Sequence, residues 1–201
     1  MTAYLLGAIP TGYLLGRILK GIDIREYGSG NVGATNAFRT LGKIPGLIVL
    51  FFDIAKGAIV TTLVADLFDL EHVVIRVVLG MIVVAGHNWT IFLKFKGGKG
   101  IATSLGVLLG LMIKVVTIQA VVLVVILVWL CIFLTTGYVS LASITAAITL
   151  PVVMMVTNQT LELIVLGTVF CILVVVRHRS NIRRFLTGRE PRVNLPFLKR
   201  E

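Results

Sequence analysis

Four segments of this 201-residue chain carry side chains suited to polar chemistry, and each is set between long apolar runs. The first reads Gly28-Ser29-Gly30-Asn31-Val32-Gly33-Ala34-Thr35-Asn36-Ala37-Phe38-Arg39. Its glycines let the backbone turn N–H groups inward and approach a ligand closely. Thr35 or Asn36 can cap a short following helix, whose N-terminus favours an anion. Arg39 stands about one turn further on and offers a planar fork to phosphate. The plain alternative is a flexible turn.

The second segment is Lys94-Phe95-Lys96-Gly97-Gly98-Lys99-Gly100. Lys94 and Lys96 suit contact with lipid headgroups. Lys99, bracketed by glycines, can reach a phosphate as a point charge. The segment is not a Walker A loop, because Gly100 stands where Ser or Thr is needed and Leu93 where glycine is needed. Thr103 and Ser104 follow as candidate helix caps. The third segment, Thr135 to Ser143, joins two apolar runs without any charge. It reads either as a loop folded into protein, offering hydroxyl and backbone hydrogen bonds, or as a tight turn with caps. In the fourth, Arg177 to Arg184, His178 and Asn181 share a face if the helix before them continues. They read as ligand contacts or as interfacial residues, and the arginines around them as topology anchors.

Two polar pairs lie within apolar runs. Asp53 and Lys56, at i and i+3, are expected to pair and to brace the first loop, because ionisable groups are costly in lipid. His87 and Asn88 suit a structural hydrogen-bonding role. Gly28, Gly30 and Gly33 also satisfy GxGxxG, with Asp53 in the place of the ribose-binding acid. No strand precedes that loop and Asp53 sits in an apolar run, so a dinucleotide site is rejected.

The elements that position these segments are transmembrane helices. Hydrophobic residues make up 57% of the chain and charged residues 14%, and the mean hydropathy is +1.01. A soluble domain is about a quarter charged. The expected fold is all-α: a polytopic membrane bundle forming one domain over residues 1–201, with a basic tail from about residue 177. Seven spans are expected: Ala3–Leu19, Ile44–Phe68, Val73–Leu93, Ile101–Ile113, Val115–Leu134, Leu141–Thr157 and Leu161–Val176. The first is short, which fits a kink at Pro10 or a start a few residues late; it has no signal-peptide pattern. The fourth is also short. Cys131 and Cys171 lie inside spans and read as packing residues, and no metal or cofactor is expected.

The formal net charge is +10. Arg17, Lys20, Arg25, Arg39 and Lys43 fall in the first loop, and Lys94, Lys96 and Lys99 in the third. Arg177, Arg179, Arg183, Arg184, Arg189, Arg192, Lys199 and Arg200 fall in the tail. Seven alternating spans put all three segments on one side. By the positive-inside rule the N-terminus is then outside and the C-terminus cytoplasmic. The charge is thereby accounted for without nucleic acid.

Arginine, lysine and glycine at a bilayer boundary point to a phosphate-bearing substrate, and the apolar spans to a second substrate with an alkyl chain. Lipid assembly is the implied reaction class. The segments Gly28–Arg39, Gly86-His87-Asn88 through Gly100, Thr136–Ile144, and His178–Arg184 with Gly188-Arg189-Glu190 resemble, in order, the PlsY family. Asp53-Ile54-Ala55-Lys56-Gly57 resembles its second span. These are bacterial acyl-phosphate:glycerol-3-phosphate acyltransferases.

The resemblance implies transfer of a fatty acyl group to glycerol 3-phosphate, giving 1-acylglycerol 3-phosphate and phosphate, at the cytoplasmic face of the bacterial inner membrane. It implies that Gly30, Asn31, Gly33, Ala34, Thr35 and Asn36 hold the acyl phosphate. Ser29, Arg39, Lys99, His178 and Asn181 would serve glycerol 3-phosphate and catalysis, with Gly97, Gly98 and Ser140 as further contacts. A soluble enzyme that makes acyl phosphate is the partner this reading allows. None of the three histidines has Asp five residues on, so the HxxxxD dyad of CoA-using acyltransferases is absent. A transporter of phosphate esters is the alternative from another class. Such a site is expected near the bilayer midplane, between internal repeats, and the sequence has neither feature.

Overall fold

A backbone inside lipid must satisfy its own hydrogen bonds, and a helix does so within one segment. A computed structural model describes residues 1–193, and among these the ordered elements are helices, with no strand. Lys199 and Arg200, counted with the basic tail, lie outside the described residues. The chain divides into two compact units, Met1–Val115 and Val116–Glu201.

In the first unit, α1 (Thr2–Ala8) and α2 (Thr11–Lys20) replace the single span expected over Ala3–Leu19. The break falls at Ile9-Pro10: proline offers no N–H to the ladder and holds its predecessor out of helical geometry. After the first loop comes α3 (Ala34–Thr40). Then α4 (Lys43–Ile59) runs through a π turn at Val60–Val64 into α5 (Ala65–Leu67), 25 residues in all. The next helix, α6 (Val73–Asn88), continues through a 3-10 turn to Leu93, so the third expected span has the bounds read from sequence. The short fourth span is α7 (Ile101–Lys114), 14 residues long.

These helices pack through small residues, α4 against α7 and α1 against α6. Lipid tails are as apolar as leucine, so close backbone contact rather than hydrophobic burial favours helix association in a membrane. A Cβ on Gly57 would overlap the Thr103 carbonyl, and one on Gly106 the Ile54 carbonyl. At the α1–α6 crossing, Gly7 meets Val83 and Gly86 meets Tyr4 in the same way. At the far end of α4, buried Arg76 donates from Nη1 to the Thr61 carbonyl in the π turn at 2.8 Å. Its Nη2 and the Lys114 Nζ both reach Asp66, at 2.5 and 2.9 Å. Lys114 is thus paired.

The second unit contains α8 (Gln119–Thr136), α9 (Val139–Val156), α10 (Leu161–Arg177) and α11 (Arg179–Leu186). Helix α9 packs against both α8 and α10. Helix α10 does not continue past Arg177, because the axis bends by 55° between α10 and α11. The continuous helix that would place His178 and Asn181 on one face is therefore replaced by a corner. Across the described residues, four helices are long and apolar enough to cross a membrane, or five if the bent pair counts as one span. The two expected spans outside that number are the broken first and the short fourth.

Candidate active site

The first loop is held by its own side chains. Asp23 opens a 3-10 turn, Ile24–Glu26, by accepting from the Arg25 N–H. It also takes the Arg25 guanidinium at 2.9 and 2.6 Å. Hydrogen bonding to Arg25 holds the Asp23 carboxyl down at about 2, against a burial effect that would raise it. The Asn36 side chain is buried and bonded at both ends. Its Oδ1 accepts from Ser29 N–H at 2.8 Å, while Nδ2 donates to the carbonyls of Ile24 and Tyr27 at 3.1 and 3.0 Å. Asn31 Oδ1 accepts from Gly33 N–H at 2.9 Å. Gly33, not Thr35 or Asn36, is the N-cap of α3, and no side chain caps that helix. Gly28 and Gly30 take left-handed backbone, φ 59° and 70°, and a Cβ on Gly28 would strike Asn36 Oδ1. The loop is therefore a built structure, not a flexible turn. Arg39 is exposed on α3, with Ser29, Gly33, Ala34 and Thr35 half-buried.

The second segment is rooted in the same place. Ile24, Val32, Ala37, Leu41 and Val49 form one buried apolar cluster with Leu93, the residue immediately before Lys94. Lys94 and Phe95 both adopt left-handed backbone, φ 52° and 61°, which is rare for residues with side chains. The Gly97 and Gly98 N–H groups donate to the carbonyls of Asn88 and His87, at 3.2 and 3.0 Å. Their lack of side chains allows this contact: a Cβ on Gly97 would meet the His87 carbonyl, and one on Gly98 the His87 ring. Lys99 follows, half-buried, one residue before the N-cap of α7, Gly100. Beside Gly100, the buried Asn88 amide, Thr103 Oγ1 and Ser104 Oγ have no hydrogen-bond partner among the described residues. Thr103 and Ser104 are thus not caps. Asp53 and Lys56 pair as expected, at 2.7 Å, but Lys56 reaches His87 and the Ile9 carbonyl instead of the first loop.

In the second unit, Ser140 and Asn181 meet at a carboxylate that residue chemistry had not singled out. Glu190 Oε1 accepts from Ser140 Oγ at 2.7 Å and from Asn181 Nδ2 at 2.6 Å, while Oε2 accepts from Arg184 Nε at 2.8 Å. Burial alone would raise the Glu190 carboxyl; the hydrogen bonds from Ser140, Asn181 and Arg184, with the Arg184 charge, outweigh it and hold it below the ordinary value. A lone acid among the arginines of 177–192 was the available signal. His178 is buried at the corner, and its Nδ1 donates to the Val174 carbonyl at 2.8 Å. Because a carbonyl can only accept, this fixes Nδ1 as the protonated nitrogen and leaves basicity at Nε2. The chain after α11 returns to the third segment: Val193 N–H donates to the Gly137 carbonyl at 2.9 Å, and Arg192 lies over Tyr138. The third segment is thus a tight turn with caps: only Gly137-Tyr138 lie between α8 and α9, Gly137 takes left-handed backbone (φ 73°), and the Thr136 hydroxyl accepts from the Tyr138 N–H at 3.3 Å.

Residues 1–188 match the family model described as glycerol-3-phosphate acyltransferase. The chain belongs to that family. It is 43% identical over 197 residues to the glycerol-3-phosphate acyltransferase of Prochlorococcus marinus, covering 96% of this chain and 92% of that one. The protein of the same name from Desulforamulus reducens is 44% identical over 188 residues, covering 94% and 90%. Among solved structures, the chain is similar to PlsY (YgiH), an integral membrane glycerol 3-phosphate acyltransferase, in its glycerol 3-phosphate form. The TM-score is 0.86 at 44% identity, covering 96% of this chain and 92% of that one. For the lysophosphatidic acid form of PlsY the TM-score is 0.81, at 43% identity and the same coverage. The family match spans parts of both units and every candidate residue named from sequence, stopping just short of Glu190.

Proposed function

We propose that the protein transfers a fatty acyl group from acyl phosphate to glycerol 3-phosphate, releasing lysophosphatidic acid and inorganic phosphate. Family membership and the named ligands of the solved PlsY forms support the acceptor and product. The observation that carries the local reading is the shared core of Ile24, Val32, Ala37 and Leu93, which anchors the segments bearing Arg39 and Lys99 together.

The acceptor hydroxyl oxygen attacks the acyl carbonyl carbon, a new C–O ester bond forms, and the bond from that carbon to the phosphate oxygen breaks. Acyl phosphate is a mixed anhydride whose leaving group departs without strong acid help, so positioning and charge stabilisation supply much of the rate. Gly30, Asn31, Gly33, Ala34 and Thr35 are assigned to the donor, on the frame that Asn36 holds rigid. Ser29, Arg39 and Lys99 are assigned to glycerol 3-phosphate, with Arg39 and Lys99 on its phosphate. Gly97 and Gly98 set the path of the loop that delivers Lys99. In the second unit, His178 and Asn181 are assigned to the acceptor and Ser140 to a nearby hydroxyl contact. A substrate phosphate oxygen takes the hydroxyl proton; His178 Nε2 as general base is the competing assignment.

In the same reading the chain is a single seven-crossing enzyme of the bacterial inner membrane, N-terminus outside and C-terminus cytoplasmic. The broken first helix pair and the short α7 are the additional crossings. The basic residues before α4 and after α6 and α10 support that orientation. A soluble enzyme making acyl phosphate would supply the donor at this face.

The test is the purified protein with glycerol 3-phosphate and either palmitoyl phosphate or palmitoyl-CoA. Lysophosphatidic acid is expected from the phosphate donor alone. Product from palmitoyl-CoA alone, or uptake of glycerol 3-phosphate into proteoliposomes with no acylation, would overturn the assignment.

A further inference from the structure

We propose that Asp53, Lys56 and His87 form a buried positioning device that sets where Lys99 stands, an inference that rests on the acceptor role given to Lys99 above. All three are buried. Lys56 Nζ lies 2.7 Å from Asp53 Oδ1 and 2.7 Å from His87 Nδ1, and 3.5 Å from the Ile9 carbonyl at the α1–α2 break. The second carboxylate contact, His87 Nδ1 to Asp53 Oδ1, is 3.6 Å. An ammonium donating to His87 Nδ1 makes that nitrogen the acceptor, so the imidazole carries its proton on Nε2. Asp53 fixes the ammonium, and the ammonium fixes the tautomer and rotation of the ring.

The ring in turn faces the loop. A Cβ on Gly98 would overlap Nε2, Cε1 and Cδ2 of His87. The His87 carbonyl receives the Gly98 N–H and the Asn88 carbonyl the Gly97 N–H. The peptide leading into Lys99 is thus clamped between the side chain and backbone of His87, and Gly100 (φ 82°) closes against the Asn88 amide on the other side. Charged groups inside a membrane protein are costly and are retained where they serve a function. An apolar trio would fill the same space without desolvating an ion pair, but it would not orient an imidazole. Contacts from α4, α6 and the α1–α2 break converge on the Lys56 ammonium, which in turn holds the His87 ring, so the loop position is a joint property of those elements. Lys99 would then meet the acceptor phosphate without a search through loop conformations, the kind of preorganisation on which rate and binding depend.

The experiment compares wild type with Lys56→Met, Asp53→Asn and Lys56→Arg in detergent, each checked for monodispersity, with Lys99→Ala alongside. Steady-state kinetics in both substrates are paired with hydrogen exchange over Gly97–Gly100. In Lys56→Met and Asp53→Asn, KM for glycerol 3-phosphate should rise about 10-fold or more while the donor KM stays unchanged. Exchange at Gly97 and Gly98 should quicken, and Lys56→Arg, which keeps the charge and donors, should recover part of the acceptor KM. A monodisperse variant with wild-type acceptor KM, or with unchanged exchange at Gly97 and Gly98, would overturn the device. Should Lys56→Met not fold, Asp53→Asn carries the same two readouts. Wild-type activity in Lys99→Ala would instead overturn the acceptor role of Lys99, a separate failure that the exchange measurement does not share.

Discussion

Ser140 Oγ donates to Glu190 Oε1 at 2.7 Å across fifty positions of sequence, and Asn181 shares the same oxygen. Two residues assigned to the substrates are therefore oriented by a carboxylate that stands between them. Removing a charged acceptor leaves buried donors unsatisfied, which costs about 1.5–3 kcal/mol. Glu190→Ala is expected to lower the melting temperature in detergent and to depress activity. Glu190→Gln should be impaired less, because one oxygen can still accept. Thermal unfolding beside initial rates checks this, and wild-type values for both in Glu190→Ala would show the hub to be dispensable.

The Asn36 amide makes three loop hydrogen bonds, so Asn36→Ala should destabilise by about 1–3 kcal/mol and remove activity with both substrates saturating. Asn36→Asp keeps the acceptor for Ser29 N–H but loses the donors to Ile24 and Tyr27. Its second carboxylate oxygen would then face those two carbonyls in a buried site, so it is expected to be at least as impaired as alanine. Limited proteolysis over residues 27–33 would report loosening of the loop directly.

Arg39→Ala and Lys99→Ala should each nearly abolish acyl transfer while the protein stays folded, since both cations are assigned to the acceptor phosphate. Activity near wild type in either would remove that residue from the assignment.

His178→Ala separates binding from proton transfer. A near-normal kcat with raised KM for glycerol 3-phosphate excludes a general base and fits proton transfer to phosphate. A collapse of kcat at saturating acceptor would favour Nε2 as the base.

Asp23 offers a pH test. Its folded-state carboxyl, at about 2, lies below the ordinary 3.8. The Asp23–Arg25 contact therefore stabilises fully above the unfolded value and is lost as pH falls through the folded one. The melting temperature of Asp23→Asn should fall below wild type at neutral pH, and the gap should close between about pH 4 and pH 2. A gap that is constant over this range would contradict the linkage.

Much of the architecture was legible because lipid imposes a length rule. Val73–Leu93 matches the sequence reading at both ends, and the second span differs by one residue at each end. Pro10 signalled a kink and produced a full break. What was not legible depends on contacts distant in sequence. Nothing in the run Arg177–Arg184 announces a 55° corner at His178. Asn36 read as a cap because it precedes a helical stretch, yet its partners, Ile24 and Tyr27, lie upstream and set a different role. The glycines before Lys99 read as freedom for its ammonium and, by resemblance, as further substrate contacts, and the Gly97 and Gly98 N–H groups turn out to be bound to the Asn88 and His87 carbonyls. Lys56 was expected to face the first loop, but periodicity gives a residue's face and not the identity of the neighbour across it.

Side-selective cysteine labelling tests the central claim, that the segments bearing Arg39 and Lys99 open on one membrane face. Tyr27→Cys, Lys96→Cys and Asp69→Cys, all at exposed positions, would be made in a background with Cys131 and Cys171 replaced. An impermeant thiol reagent applied to vesicles of known orientation should modify positions 27 and 96 from the same side and position 69 from the other. Modification of positions 27 and 96 from opposite sides would contradict the account.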